Sequence, residues 1–196
     1  MKQLRSLAAT AAVLALTFLF VVSSASATTL EVKGVPKNES LSFKFTLKAG
    51  TSMLLTDTAG FFANTCTSST KEGKTEGPFT GASVGGALST LSFGTEATRC
   101  TEGAITVDAG GRLSASSIAG TTNGTVKSSN AKVTVPSALG LLTCTTPIEG
   151  TDIGTLTGVA SGAATIDING VMNCGITAKW IATYTVTSPE GLGVVS

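Results

Sequence analysis

Leu41-Ser42-Phe43-Lys44-Phe45-Thr46-Leu47-Lys48 alternates apolar and polar residues strictly over eight positions, the period of a strand with one face buried. The same period returns from Ala87 to Phe93, where Ala87, Ser89, Leu91 and Phe93 share a face. It returns again in Thr165-Ile166-Asp167-Ile168, which runs into Asn169-Gly170 and Val171. Asn-Gly tolerates the positive φ that a type I′ turn requires, so a hairpin is predicted there. Near the C-terminus Trp180, Ala182, Tyr184 and Val186 fall on one face, with Ile181, Thr183, Thr185 and Thr187 on the other. Turn-forming residues cluster at Gly34 to Asn38, Ala49-Gly50, Ala59-Gly60, Lys71 to Pro78, Asp108 to Gly111, Thr121 to Gly124, Glu149-Gly150 and Pro189. They cut the chain into short strands. After the N-terminal apolar segment no capped amphipathic helix of length appears, and abundant Thr suits a pleated surface. The predicted fold is all-β, an antiparallel β-sandwich or flattened barrel.

The N-terminus reads differently. Lys2 and Arg5 precede an apolar run from Leu7 to Val22, followed by Ser23-Ser24-Ala25-Ser26-Ala27, the charged, apolar and small-residue order of a secretory signal. Residues 1–27 are therefore expected to be removed, leaving residues 28–196 secreted, outside the cell or associated with its envelope. The run is short for a membrane anchor, so no stable membrane insertion is expected after cleavage. Of the 13 basic residues Lys2 and Arg5 lie in the signal, so 11 remain against 12 acidic ones. No basic run marks a nucleic acid or an anionic membrane surface as a partner.

In an exported chain an even cysteine count reads first as a disulfide framework. Cys66, Cys100, Cys144 and Cys174 allow three pairings, and an internal repeat selects among them. Thr65-Cys66-Thr67 follows an apolar turn containing Phe61-Phe62 and precedes Gly77-Pro78-Phe79-Thr80-Gly81, an alternating strand and Cys100. Thr143-Cys144-Thr145 follows an apolar turn and precedes Gly154-Thr155-Leu156-Thr157-Gly158, an alternating strand and Cys174. The pseudo-repeat halves are about 28–112 and 113–196, and symmetry favours Cys66 with Cys100 and Cys144 with Cys174. The rival pairing links the halves. Without a Pro-rich or charged linker between them, one domain is expected: about 169 residues bury roughly 70% of their unfolded surface as a unit, and less if split.

Candidate chemistry is sparse. The chain has no His, so a catalytic triad in its usual form lacks its base, and widely spaced cysteines do not suit a metal site. No catalytic residue, metal or cofactor is expected. Carboxylates are scattered singly, and a carboxylate-based hydrolase would need two of them across one cleft. Ser68-Ser69-Thr70-Lys71 has the Ser-x-x-Lys spacing of serine acylases but lies in what reads as a polar turn. Trp180 and Tyr184, on one strand face, are either core or a ligand-facing platform for a sugar. Of Phe61-Phe62, the turn is expected to hide one ring and expose the other.

The signal, the Thr- and Gly-rich strands and the late Cys174-Gly175, followed by Lys179-Trp180, Tyr184 and Val186-Thr187-Ser188-Pro189, resemble small exported all-β proteins found in multiple copies in soil bacteria of the actinobacterial type. That resemblance implies an exported, disulfide-bonded, non-catalytic protein and carries no catalytic residues. The expected function is a structural or binding module that presents loops or sheet edges to a cell-envelope polymer or a protein partner. The alternative is a subunit of an extracellular fibre or matrix that assembles by strand addition, suggested by the weakly charged strand from Gly81 to Phe93. Ligand and oligomeric state are not specified by these features.

Overall fold

A computed structural model describes residues 27–94, 100–138, 140–147 and 149–196. The expected signal lies outside the described residues except for Ala27, and no described helix is long and apolar enough to cross a membrane. Every described element is a strand. They are β1 (Thr28–Val32), β2 (Val35–Lys37), β3 (Ser42–Leu47), β4 (Met53–Asp57), β5 (Ala63–Cys66), β6 (Ser69–Glu76), β7 (Thr80–Gly81), β8 (Val84–Phe93) and β9 (Thr106–Ala109). They continue with β10 (Arg112–Ser117), β11 (Gly124–Ser129), β12 (Lys132–Ser137), β13 (Gly140–Thr145), β14 (Thr151–Thr157), β15 (Thr165–Asn173), β16 (Thr177–Ser188) and β17 (Leu192–Val195).

Eight strands close an antiparallel barrel in the order β3-β6-β8-β10-β11-β14-β15-β16, with β16 returning to pair β3. This is the flattened barrel of the two expected architectures. β16 is long enough to serve two neighbours on one edge: its later residues pair β3, and Ala178–Ile181 pair β4. One end of the barrel is covered by the small sheet β17-β1-β2 with β7, the other by the hairpins β4–β5 and β12–β13 and by β9. The alternating faces behave as their period predicts. Phe43 and Phe45 of β3 are buried, as are Ala178, Trp180, Ala182, Tyr184 and Val186 of β16. The outer face carries charge, with Lys44 paired to Glu72 at 2.7 Å across β3 and β6, and Lys127 to Asp152 at 3.8 Å across β11 and β14.

Two expected turns are strand. Asn169-Gly170 does not form a hairpin: β15 runs straight through it, with Gly170 opposite Trp180. The glycine is there for space, because a Cβ on it would lie 2.8 Å from the Ile153 side chain. The turn falls after β15, where the Asn173 side chain accepts a bond from Gly175 N–H. Lys71 to Pro78 is likewise mostly strand. β6 has polar residues on both faces, so it lacks the alternation that would betray it, yet Ser69, Lys71 and Thr75 point inward and are buried.

The pairing scheme of residues 42–117 recurs in residues 124–188. β3–β6–β8 corresponds to β11–β14–β15, the hairpin β4–β5 to β12–β13, and β9 with β10 to the single strand β16. Each last strand crosses over. β16 pairs β3 and β4 of the first unit, while β10 and β9 pair β11 and β12 of the second. Each unit also carries its own disulfide, Cys66–Cys100 and Cys144–Cys174, with all four cysteines buried. Bonded cysteines suit an oxidising environment.

Candidate functional site

Lys71 is held in the middle of the barrel wall, with Phe45 of β3 and Leu91 of β8 as its ladder partners. Its side chain points inward and is 2% exposed. Its Nζ sits 3.5 Å from the centre of the Trp180 ring and 4.3 Å from that of Tyr184, over faces whose π electrons attract a cation. The two rings meet edge to face at 6.3 Å, and Phe93 and Trp180 meet in the same T-shaped manner at 6.4 Å. Among the described residues no carboxylate lies within ion-pair distance of Lys71. Burial therefore holds its amine well below the usual lysine range.

The Tyr184 hydroxyl donates to Ser69 Oγ at 3.0 Å, and Ser69 donates in turn to the Ser92 carbonyl at 2.8 Å. Burial pushes the phenol above its ordinary value. The indole N–H of Trp180 lies near the Tyr184 hydroxyl, is buried, and meets no acceptor in hydrogen-bond geometry. Lys71, Trp180, Tyr184 and Ser69 thus form a polar layer inside the barrel. Toward one end lies an apolar cavity of about 50 Å³ bordered by Phe43, Phe45, Val84 and Leu192. Toward the other lies one of about 20 Å³ bordered by Leu91, Phe93, Ile105 and Trp180.

Trp180 and Tyr184 are brought together, but facing inward, at 7% and 1% exposure, so neither ring offers a face to the outside. Lys71 is the group that sequence reasoning missed. Its place in the Ser-x-x-Lys spacing was visible, but nothing in a run of polar residues marks which side faces in.

Where a described carboxylate has a partner, it is engaged singly. Asp57 accepts backbone N–H bonds from Phe62 at 2.9 Å and Ala59 at 3.1 Å and so fastens the β4–β5 turn. Asp108 accepts from Thr134 and Asp167 from Thr183, both on the surface, while Glu76 pairs with Arg112. Among the described residues no three His, Cys, Asp or Glu side chains gather as metal ligands.

Two large apolar side chains stand out at the end of the molecule formed by the β4–β5 and β12–β13 hairpins. Phe61 is 68% exposed while its neighbour Phe62 is buried, the division expected of that turn. Leu141 is 75% exposed. Each follows a glycine with positive φ, Gly60 and Gly140, where the left-handed backbone turns the chain over. The hairpins touch: Asn64 Nδ2 donates to the Pro136 carbonyl at 3.4 Å, and Pro136 is the ladder partner of Leu141.

No known family model, curated protein or solved structure matches the chain.

Proposed function

We propose that the chain is an exported, non-catalytic binding protein whose β4–β5 and β12–β13 hairpins contact a cell-envelope polymer or a protein partner. The observation that carries this reading is the exposure of Phe61 and Leu141 on touching hairpins of a closed, disulfide-bonded barrel. Large exposed apolar groups on a rigid frame lose little entropy when they are covered. The charged outer wall, with Lys44, Glu72, Lys127 and Asp152, differs from the apolar band with which a membrane barrel faces lipid. The test is co-sedimentation of the oxidised protein of residues 28–196 with isolated cell envelopes and a panel of insoluble polysaccharides at several salt concentrations. Salt-resistant binding that Phe61→Ser with Leu141→Ser abolishes supports the reading. No binding, or binding indifferent to the double substitution, overturns it.

A second reading, assembly by strand addition, rests on β8. Val84 to Ala87 are paired on both sides, by β6 and β10. Among the described residues, Thr90 to Phe93 of the same strand pair only β6, and β9 turns away to β12. An open edge of this kind can accept another strand. Sedimentation velocity over a wide concentration range separates the readings: assembly that Thr90→Lys abolishes favours the fibre, and a monomer at every concentration removes it.

A further inference from the structure

The outer surface of the second unit carries an open groove of about 630 Å³ where β13 and β14 part over β15, at the end of β13 away from Leu141. Met172, buried, forms part of its floor. β14 pairs β15 no further than Gly154 with Ile168, and β13 meets β15 only at Thr145 with Asn173. Between those contacts the edge of β15 lies open. Which backbone groups it presents follows from the alternation of a strand. Val186 N–H donates to the Ala164 carbonyl, so the register places the even-numbered residues of β15 in bonded pairs with β16. The carbonyls of Thr177 and Thr183, opposite Asn173 and Asp167, turn the other way and accept from Thr58 and Lys48. Val171, an odd-numbered residue, therefore points its N–H and C=O away from β16, on the groove side. Among the described residues neither has a partner. The first unit has no such opening among its described residues, because β6 pairs β8 from Ser69 to Glu76 with one bulge.

We propose that this groove binds the acetamido group of an N-acetylated amino-sugar polymer. The Val171 N–H donates to the acetamido carbonyl. The acetamido N–H points the opposite way in a trans amide, toward the strands that part from β15, where Thr145 and Thr151 border the groove. Their hydroxyls have no hydrogen-bond partner among the described residues and are free to accept. The Val171 carbonyl is left for a sugar hydroxyl, and the side chains of Val171 and Ile176, both exposed, offer apolar contact to the acetamido methyl. No charged side chain borders the groove among the described residues, which suits a neutral polymer. Its volume is that of a site for a small ligand. An extended peptide fits less well. The open edge from Asn169 to Met172 is closed off at both ends by β14 and β13, so an added strand has nowhere to continue.

The test is made on the full oxidised protein by ¹H–¹⁵N NMR. Without ligand, the Val171 N–H is expected to exchange with solvent much faster than those of Gly170 and Met172; equal protection overturns the proposal. Chitotetraose, which carries an acetamido group on each ring, is expected to shift the Val171 resonance saturably. Cellotetraose, with hydroxyls in those places, is expected to bind about tenfold more weakly or not at all. Val171→Pro removes the donor without touching a bond to β16 and is expected to abolish the binding. Thr145→Val with Thr151→Val, which preserves shape, is expected to weaken it about tenfold and serves if the proline variant does not fold. No shift at Val171, equal binding of cellotetraose, binding indifferent to these substitutions, or a stronger response to N-acetyl-trialanine amide than to chitotetraose overturns the proposal. Phe61→Ser with Leu141→Ser leaves the groove intact, so this outcome and that of hairpin binding are read independently.

Discussion

The two structural units of the barrel share a strand scheme but fill the interior differently. In the first unit Lys44 pairs with Glu72, and Lys71, the residue before Glu72, turns inward beneath Trp180 and Tyr184. In the second, Lys127 pairs with Asp152 at the matching place, and a bulge inserts Ile153, which turns inward against Gly170. One unit places an amine in the interior, the other a fully buried aliphatic chain. The sheet edges differ in the same sense, with β15 fully paired to β16 and β8 paired to β10 only from Val84 to Ala87. The second unit is built for closure; the first gives up pairing and apolar packing at one place, where its unusual chemistry lies.

Exchanging the two interiors gives the largest effect. Ile153→Lys puts an amine in the place of a fully buried aliphatic chain, and a loss of about 3–5 kcal/mol is expected in urea unfolding. Lys71→Met, in the reverse sense, is expected to raise stability by about 1–3 kcal/mol. A gain from Lys71→Met as large as the loss from Ile153→Lys would mean that the aromatic layer gives Lys71 nothing. Next come the disulfides. They close segments of similar sequence separation, 34 and 30, so replacing either pair by Ala is expected to cost about 2–4 kcal/mol, and nearly the same for each unit.

A matched pair of glycines tests the shared scheme itself. A Cβ on Gly73 would lie 2.3 Å from the Ala87 carbonyl of β8, and one on Gly154 would lie 1.9 Å from the Asp167 carbonyl of β15. Gly73→Ala and Gly154→Ala are each expected to destabilise by about 1–3 kcal/mol. A tolerated change at one position alone would break the correspondence.

The smallest effect is in pH dependence. Because burial lowers the Lys71 pKa, the unfolded chain binds a proton there that the folded chain does not. Stability therefore rises with pH from the folded pKa to about pH 10, and below the folded pKa this contribution is flat. Burial raises the Tyr184 pKa, so above about pH 10 the unfolded phenol ionises first and stability falls again. In thermal melts Lys71→Met should remove the rise, and Tyr184→Phe the fall.

Much of this was legible in the chain. The alternation at Phe43 and Phe45 and from Trp180 to Val186 gives two barrel strands and their buried faces, and the repeated Thr-Cys-Thr gives the disulfide partners that the structure contains. The interior of β6 was hidden because Ser69, Lys71, Gly73 and Thr75 face in while Thr70, Glu72, Lys74 and Glu76 face out, so both faces are polar or small. Gly170 misled for a different reason: its local preference for a turn is overridden by the Ile153 side chain that occupies its missing Cβ position. The exchange of last strands could not be read at all, since it joins residues such as Phe45 and Val186 that are far apart in sequence.

The most direct test of the difference between the units is the ionisation of Lys71. With ¹³C-labelled lysine, the Cε resonance of Lys71, assigned by its absence in Lys71→Met, is followed against pH in the folded protein. The Lys71 Cε resonance is expected at the chemical shift of a neutral amine at pH values where exposed Lys179 still shows that of an ammonium group. A Lys71 resonance that titrates together with Lys179 would contradict this expectation.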